Sequence, residues 1–204
     1  GLARSSRKSA VDKLPHARAL REVTGEEISM RKVIYSMMVT LDGFIAGPDG
    51  DLEWGNVDAE LHTFVNRKEA EAGGHLYGRR TYEVMRDFWG TPAAEDPSQP
   101  DFIREYTRIW RAVPKVVFSR TLEQVGDNAT LVRDNIAEAV RALKAQPGGD
   151  LTVGGAALAG SLMQLGLVDE YQLYIHPVTI GRGVRMIPGK TTCNWSNSAR
   201  SIQA

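Results

Sequence analysis

Three short stretches of this chain place glycine, hydroxyl or arginine residues where a strand-like run ends, in two of them passing straight into a helix-like one. In Leu151-Thr152-Val153-Gly154-Gly155-Ala156-Ala157-Leu158 an apolar run passes through two glycines into an alanine-rich segment. Glycine lets backbone approach a ligand closely, and the free N–H groups of a helix start attract phosphate. The spacing is not the three-glycine dinucleotide fingerprint, so a standard Rossmann site is excluded. A tight strand-to-helix turn would need the same two glycines.

The second stretch is Leu76-Tyr77-Gly78-Arg79-Arg80-Thr81-Tyr82-Glu83. Guanidinium forks match phosphate oxygens, whereas the dipole of a helix disfavours cations at its N-terminus unless an anion sits there. That local conflict points to a ligand. A pair of solvent-exposed arginines is the plainer alternative. In the third, Val117-Phe118-Ser119-Arg120-Thr121, a strand ends in two hydroxyls and another arginine. Such a cluster suits the 2′-phosphate that separates NADPH from NADH; taken alone, it also reads as a polar strand end before a turn.

Other chemistries are poorly served. His16, His62, His75 and His176 lack metal-ligand spacing, and no nucleophile–histidine–acid arrangement stands out, so no metal is expected. His176 reads as a strand residue in the sheet interior or on a dimer face. Cys193 is the single cysteine, which rules out an internal disulfide and suits a reducing cytoplasm. Lys plus Arg and Asp plus Glu both number 25, so no net field draws nucleic acid or an anionic membrane. No run approaches the ~20 apolar residues that span a bilayer.

The elements that must carry these corners alternate in type. Strands are predicted over Lys32–Thr40, Gly74–Tyr77, Lys115–Ser119, Leu151–Val153 and Glu170–Val178, from their β-branched and apolar runs. Helices are predicted over Ala59–Ala72, Arg80–Trp89, Phe102–Arg111, from Asn135 to Pro147, and over Ala156–Leu165. Leu61, Phe64 and Val65 mark the apolar stripe of the first. Asn135 with Glu138 resembles a capping box. Asp42–Trp54, rich in glycine, reads as a long loop and Thr91–Pro100 as a surface connection. This alternation predicts an α/β fold of three layers, a mostly parallel central sheet with helices on both faces. Residues 1–29 read as an N-terminal extension or expression-derived tail ahead of Met30, without a secretory signal. Residues 30–188 read as the functional domain and 189–204 as an irregular tail.

Taken together, Thr40-Leu-Asp-Gly-Phe-Ile-Ala-Gly47, Gly78-Arg-Arg-Thr-Tyr-Glu83, Phe118-Ser-Arg-Thr121, Val153-Gly-Gly-Ala-Ala-Leu158 and Gly166-Leu-Val-Asp-Glu170 resemble the dihydrofolate-reductase-like family. The resemblance is strongest to the reductase domain of riboflavin biosynthesis and its stand-alone bacterial relatives, and covers Arg31 to Pro188. It implies a dihydrofolate-reductase-like fold with NADPH as reductant. Carried across, Gly78, Arg79, Arg80 and Thr81 would hold phosphates, and Ser119 and Arg120 would lie near the adenosine 2′-phosphate. Val153, Gly154, Gly155, Ala156 and Leu158 would pass under the pyrophosphate and nicotinamide ribose. Val39, Thr40, Ile45 and Ala46 would flank the nicotinamide, with the Gly47–Trp54 loop as a lid.

The resemblance also implies a proton-handling carboxylate near the pocket. Glu60 and then Asp58 occupy the matching stretch, although Asp58 also suits a helix N-cap and Glu60 a first-turn acid. Asp42, in the Leu-Asp-Gly turn, either lines the substrate site or shapes the turn. The expected activity is NADPH-dependent reduction of a small heterocyclic or ribosylamino-pyrimidine-type substrate. A pterin reductase and a non-catalytic NADPH-binding protein are the alternatives. Relatives close the sheet with two further strands after Gly181-Arg-Gly183. The irregular residues 189–204 leave that closure, and the homodimer expected from relatives, open.

Overall fold

The computed structural model describes residues 30–126 and 128–189. The expectations for residues 1–29 and for the tail beyond Gly189 lie outside the described residues. The first strand, β1 (Val33–Thr40), leads through a turn to the short β2 (Phe44–Ala46), then α1 (Ala59–Ala70), β3 (Gly74–Gly78) and α2 (Arg79–Trp89). A 3-10 turn at Pro92–Glu95 precedes α3 (Asp101–Ala112), β4 (Lys115–Phe118), β5 (Ala129–Val132) and α4 (Ile136–Lys144). The chain continues through β6 (Leu151–Gly154), α5 (Ala156–Gln164), β7 (Glu170–His176) and β8 (Val184–Arg185).

Six strands form one sheet in the order β5-β4-β3-β6-β1-β7, and every neighbouring pair is parallel. The carboxyl ends of all six therefore share one edge. β2 and β8 form a separate antiparallel pair.

Pleating sends alternate residues to opposite faces. Val33, Tyr35, Leu76, Leu151 and Val153 are at most 1% exposed and pack with Val140 of α4 and Leu158 and Leu162 of α5. The other face carries Tyr77 and Val117, against Tyr82 of α2. It also holds His75, whose Nε2 lies 2.8 Å from Glu69 Oε2 of α1, and Tyr174, whose ring meets Phe64 of α1. This second layer is polar. Asn66 and Glu69 are the buried residues of α1, while Leu61, Phe64 and Val65 are half-buried. Asn66 Nδ2 donates to Phe102 O at 2.9 Å and Glu105 Oε2 at 2.8 Å, joining α1 to α3.

Three expectations are corrected. The Asp42–Trp54 loop contains β2, and β5 and β8 were not foreseen. β2 is only three residues long and pairs with a segment far along the chain, so no local period announces it. Asn135 stands before α4 in the left-handed region (φ 56°) with no side-chain cap bond, so the capping box does not form.

A crevice at the carboxyl edge of the sheet

β3 and β6 are adjacent and parallel, with Tyr77 opposite Gly154. The chain leaves β3 toward β4 on one side and leaves β6 toward β7 on the other, and the helices that follow lie on opposite faces. This is a topological switch point, the place where open α/β sheets characteristically form a ligand crevice at the strands' carboxyl ends.

Two helix N-termini face that crevice. The α2 helix begins immediately after Gly78, and α5 after Gly155; neither has a side-chain cap or an acidic residue in its first turn. In contrast, α1 is capped by Asp58. The first N–H groups of α2 and α5 thus remain free to meet an anion, with both dipoles aiding. The two ends touch. Gly155 has φ 88°, and a Cβ there would collide with Thr81 Oγ1. Gly78 lies against Leu158.

The third corner adjoins them, because Gly78 is in register with Phe118. Ser119 Oγ accepts from the backbone N–H groups of Thr121 (3.2 Å) and Leu122 (3.0 Å), bending the chain at the end of β4. Arg79 Nη1 donates to Thr121 Oγ1 at 3.4 Å, and its Nε lies 3.8 Å from Glu83 Oε2. Arg120 instead turns to Asp134 at 3.2 Å, with 82% of its side chain exposed. Arg133, at the end of β5, donates to Arg120 O and Glu123 O. The sequence reading missed Arg133, because nothing local marks β5 as ending beside β4.

The structure therefore brings together Gly78, Arg79, Thr81, Ser119, Gly154, Gly155, Ala156 and Leu158. Arg80 is exposed on α2, and Val153 is fully buried in the core beneath. Val39, Thr40, Ile45 and Ala46 are buried at the tip of β1 and in β2.

The candidate carboxylates have distinct surroundings. Asp58 Oδ1 accepts from Leu61 N at 2.8 Å as the α1 cap, and Glu60 is exposed in the first turn. Asp42 accepts from Thr40 Oγ1 at 2.6 Å and from the N–H groups of Ile180 and Gly181, the latter at 2.7 Å. The Thr40 hydroxyl first, then these amides, hold its pKa below the ordinary carboxylate value. Asp42 thus ties the β1–β2 turn to the loop after β7. Among the described residues no group of three or more His, Cys, Asp or Glu side chains gathers in a metal-like cluster.

The chain belongs to the RibD C-terminal domain family, whose model matches residues 31–201. It is a family of reductases with the dihydrofolate-reductase-like fold. The chain is 38% identical over 161 residues to YyaP of Bacillus subtilis (strain 168), covering 76% of this chain and 80% of YyaP. YwjB of the same organism is 24% identical over 161 residues, covering 76% and 81%. Among solved structures, a putative riboflavin biosynthesis protein from Shewanella sp. PV-4 superposes with a TM-score of 0.57 at 22% identity, covering 81% of this chain and 86% of that one. Acinetobacter baumannii RibD gives 0.53 at 18% identity, covering 81% of this chain and 51% of that chain; the match spans about half of its length.

Proposed function

We propose that this protein is an NADPH-dependent reductase of a small heterocyclic or ribosylamino-pyrimidine-type substrate. The observation that carries the reading is the meeting of two uncapped helix N-termini at Thr81 and Gly155, beside a corner holding Arg79, Ser119 and Thr121. A pyrophosphate suits the paired helix ends, and a further phosphate suits the guanidinium and hydroxyl corner. The residues present fit the cofactor: Gly155 lets the start of α5 come directly against Thr81 at the start of α2, and the α2 and α5 N–H groups have no competing side-chain cap. When bound, NADPH supplies the hydride. The protein's own part is to hold the cofactor, to keep water out with the loop over Gly47–Trp54, and to present the substrate at the tips of β1 and β6.

The test is substrate-dependent loss of the reduced-nicotinamide absorbance with NADPH, run with an aminopyrimidine ribosyl compound and with dihydrofolate in parallel. Turnover with the first supports this reading, and turnover with the second alone moves the assignment to pterin reduction. Asp58 and Asp42 are both engaged in structural bonds, which favours the second reading of a non-catalytic NADPH binder. That reading requires binding without turnover of either compound.

The same proposal includes a homodimer. β7 is the last strand of the sheet among the described residues, and its Leu173 and Ile175 are 39% and 60% exposed. Exposed apolar side chains on an edge strand suit a second copy. Light scattering should give a dimer and Ile175→Lys should shift it toward monomer; a monomer at every concentration excludes the dimer. A cytoplasmic location is proposed on the single cysteine. No helix among the described residues is long and apolar enough to cross a membrane.

A further inference from the structure

One strand beyond β1, at the same edge of the sheet, two rings pack against each other, each with a buried nitrogen that has no hydrogen-bond partner. His176 is the last residue of β7, in register with Thr40 at the tip of β1. It is 7% exposed, and its Nε2 is buried with no partner. Trp54, from the loop before α1, meets it edge to face, with ring centroids 5.2 Å apart and planes at 88°. Trp54 Nε1 is buried and unpartnered too.

Buried polar groups are ordinarily paired, because an unmet donor or acceptor forfeits its hydration. The neighbouring layer obeys this: Asn66, Thr107 and Lys115 all donate to backbone or carboxylate oxygens. The buried ring nitrogens of His75 and Trp110 differ in having polar neighbours, Glu69 for the first and the Tyr77 hydroxyl for the second. His75 is near the start of β3 with Glu69 2.8 Å from its ring, and Trp110 lies beneath the Lys115 ammonium, 4.3 Å from its ring centre. Of these rings among the described residues, only His176 and Trp54 sit at the carboxyl edge, with β1 between them and β6.

Their chemistry is complementary. The indole N–H can only donate, whereas a neutral imidazole nitrogen donates or accepts. Burial keeps the His176 ring neutral, although the Asp58 carboxylate pulls the other way. A fixed donor beside an adaptable nitrogen matches a ring carbonyl next to a ring nitrogen.

We propose that His176 and Trp54 read the carbonyl-and-nitrogen edge of a planar heterocyclic substrate, holding it one strand away from the β3–β6 crevice. This rests on the reductase reading, and names the residues that would recognise the substrate rather than the cofactor. The pair joins the loop to the sheet, so the loop that covers the site also contributes a recognition group.

The experiment is a titration of the ¹⁵N-labelled full chain with 5,6-diaminouracil, and with 4,5-diaminopyrimidine, which lacks the carbonyls. Both are run with and without saturating NADPH. The Trp54 indole N–H signal is assigned from its loss in Trp54→Phe. The diaminouracil should shift that signal saturably and the diaminopyrimidine should not. Trp54→Phe and His176→Phe should each weaken diaminouracil binding roughly 3- to 10-fold, with NADPH affinity preserved as the sign of an intact fold. Saturable binding that leaves the indole signal and both variants unaffected overturns the proposal. So does equal binding of the two probes, or no binding of diaminouracil up to its solubility limit. Failure of NADPH to bind would count against the reductase reading alone, because the probe titration without cofactor still tests the pair.

Discussion

The Thr81 hydroxyl occupies the space that a side chain at residue 155 would need. Two helices on opposite faces of the sheet are thereby brought N-terminus to N-terminus across the β3–β6 switch point. Gly155→Ala would meet both this collision and a φ of 88° that costs an L-residue ~1–3 kcal/mol. The expected outcome is a lower melting temperature together with at least tenfold weaker NADPH binding. A normal affinity in a destabilised variant would mean that the close approach serves packing alone.

The arginines should separate. Arg79 faces Thr121 and the Ser119 corner, whereas Arg120 is committed to Asp134 at the surface. Losing a hydrogen bond to a charged group costs ~1.5–3 kcal/mol, or roughly 10- to 150-fold. Arg79→Ala should lose that much NADPH affinity and little NADH affinity. Arg120→Ala should cost less than ~1 kcal/mol, as expected of an exposed ion pair. Calorimetric titration of both cofactors into each variant checks the order.

Lys115 offers a pH test of the polar layer. Its Nζ donates to Trp110 O and Val113 O at the end of α3, and burial lowers its pKa from 10.5 to about 8. Between those values the unfolded chain binds a proton that the folded chain does not, so stability rises with pH through that window. The rise is on the order of 3 kcal/mol. Below about pH 8 the cost of burying the charge is constant. Lys115→Met should abolish this rise, so urea denaturation of the two proteins should converge or cross between pH 8 and 10.5; parallel curves would contradict the assignment.

Asp42 should behave in the opposite sense. The Thr40 hydroxyl and the amides of Ile180 and Gly181 hold its pKa below 3.8. Its contribution is therefore full above the ordinary carboxylate value and is lost as pH falls through the lowered one. Asp42→Asn should lower the melting temperature at neutral pH, with a deficit that shrinks in acid. A deficit independent of pH would assign the tie to packing.

The strand-and-helix alternation was readable because long apolar runs and helical stripes carry their own period, and the parallel sheet followed from it. β2, β5 and β8 were not, being two to four residues long and stabilised by partners far along the chain. In α1 the apolar stripe suggested an oily face, yet the buried positions are Asn66 and Glu69, satisfied by Phe102 O, Glu105 and His75. The three corners proposed to bind the cofactor were legible one by one from glycine, arginine and hydroxyl chemistry. Their meeting was not, since strand order alone sets β3 between β4 and β6. The same holds for Arg133 beside Arg120, and for Trp54 against His176: pairs joined by topology leave no mark in local sequence.

The most direct measurement is the backbone amide spectrum of the protein during addition of NADPH. The amides of Arg79, Arg80 and Thr81, of Gly155 and Ala156, and of Ser119 to Thr121 should shift together and saturate with one dissociation constant. NADH should leave the Ser119–Thr121 group nearly still. Shifts confined to one corner, or none at saturating NADPH, would contradict a shared cofactor crevice.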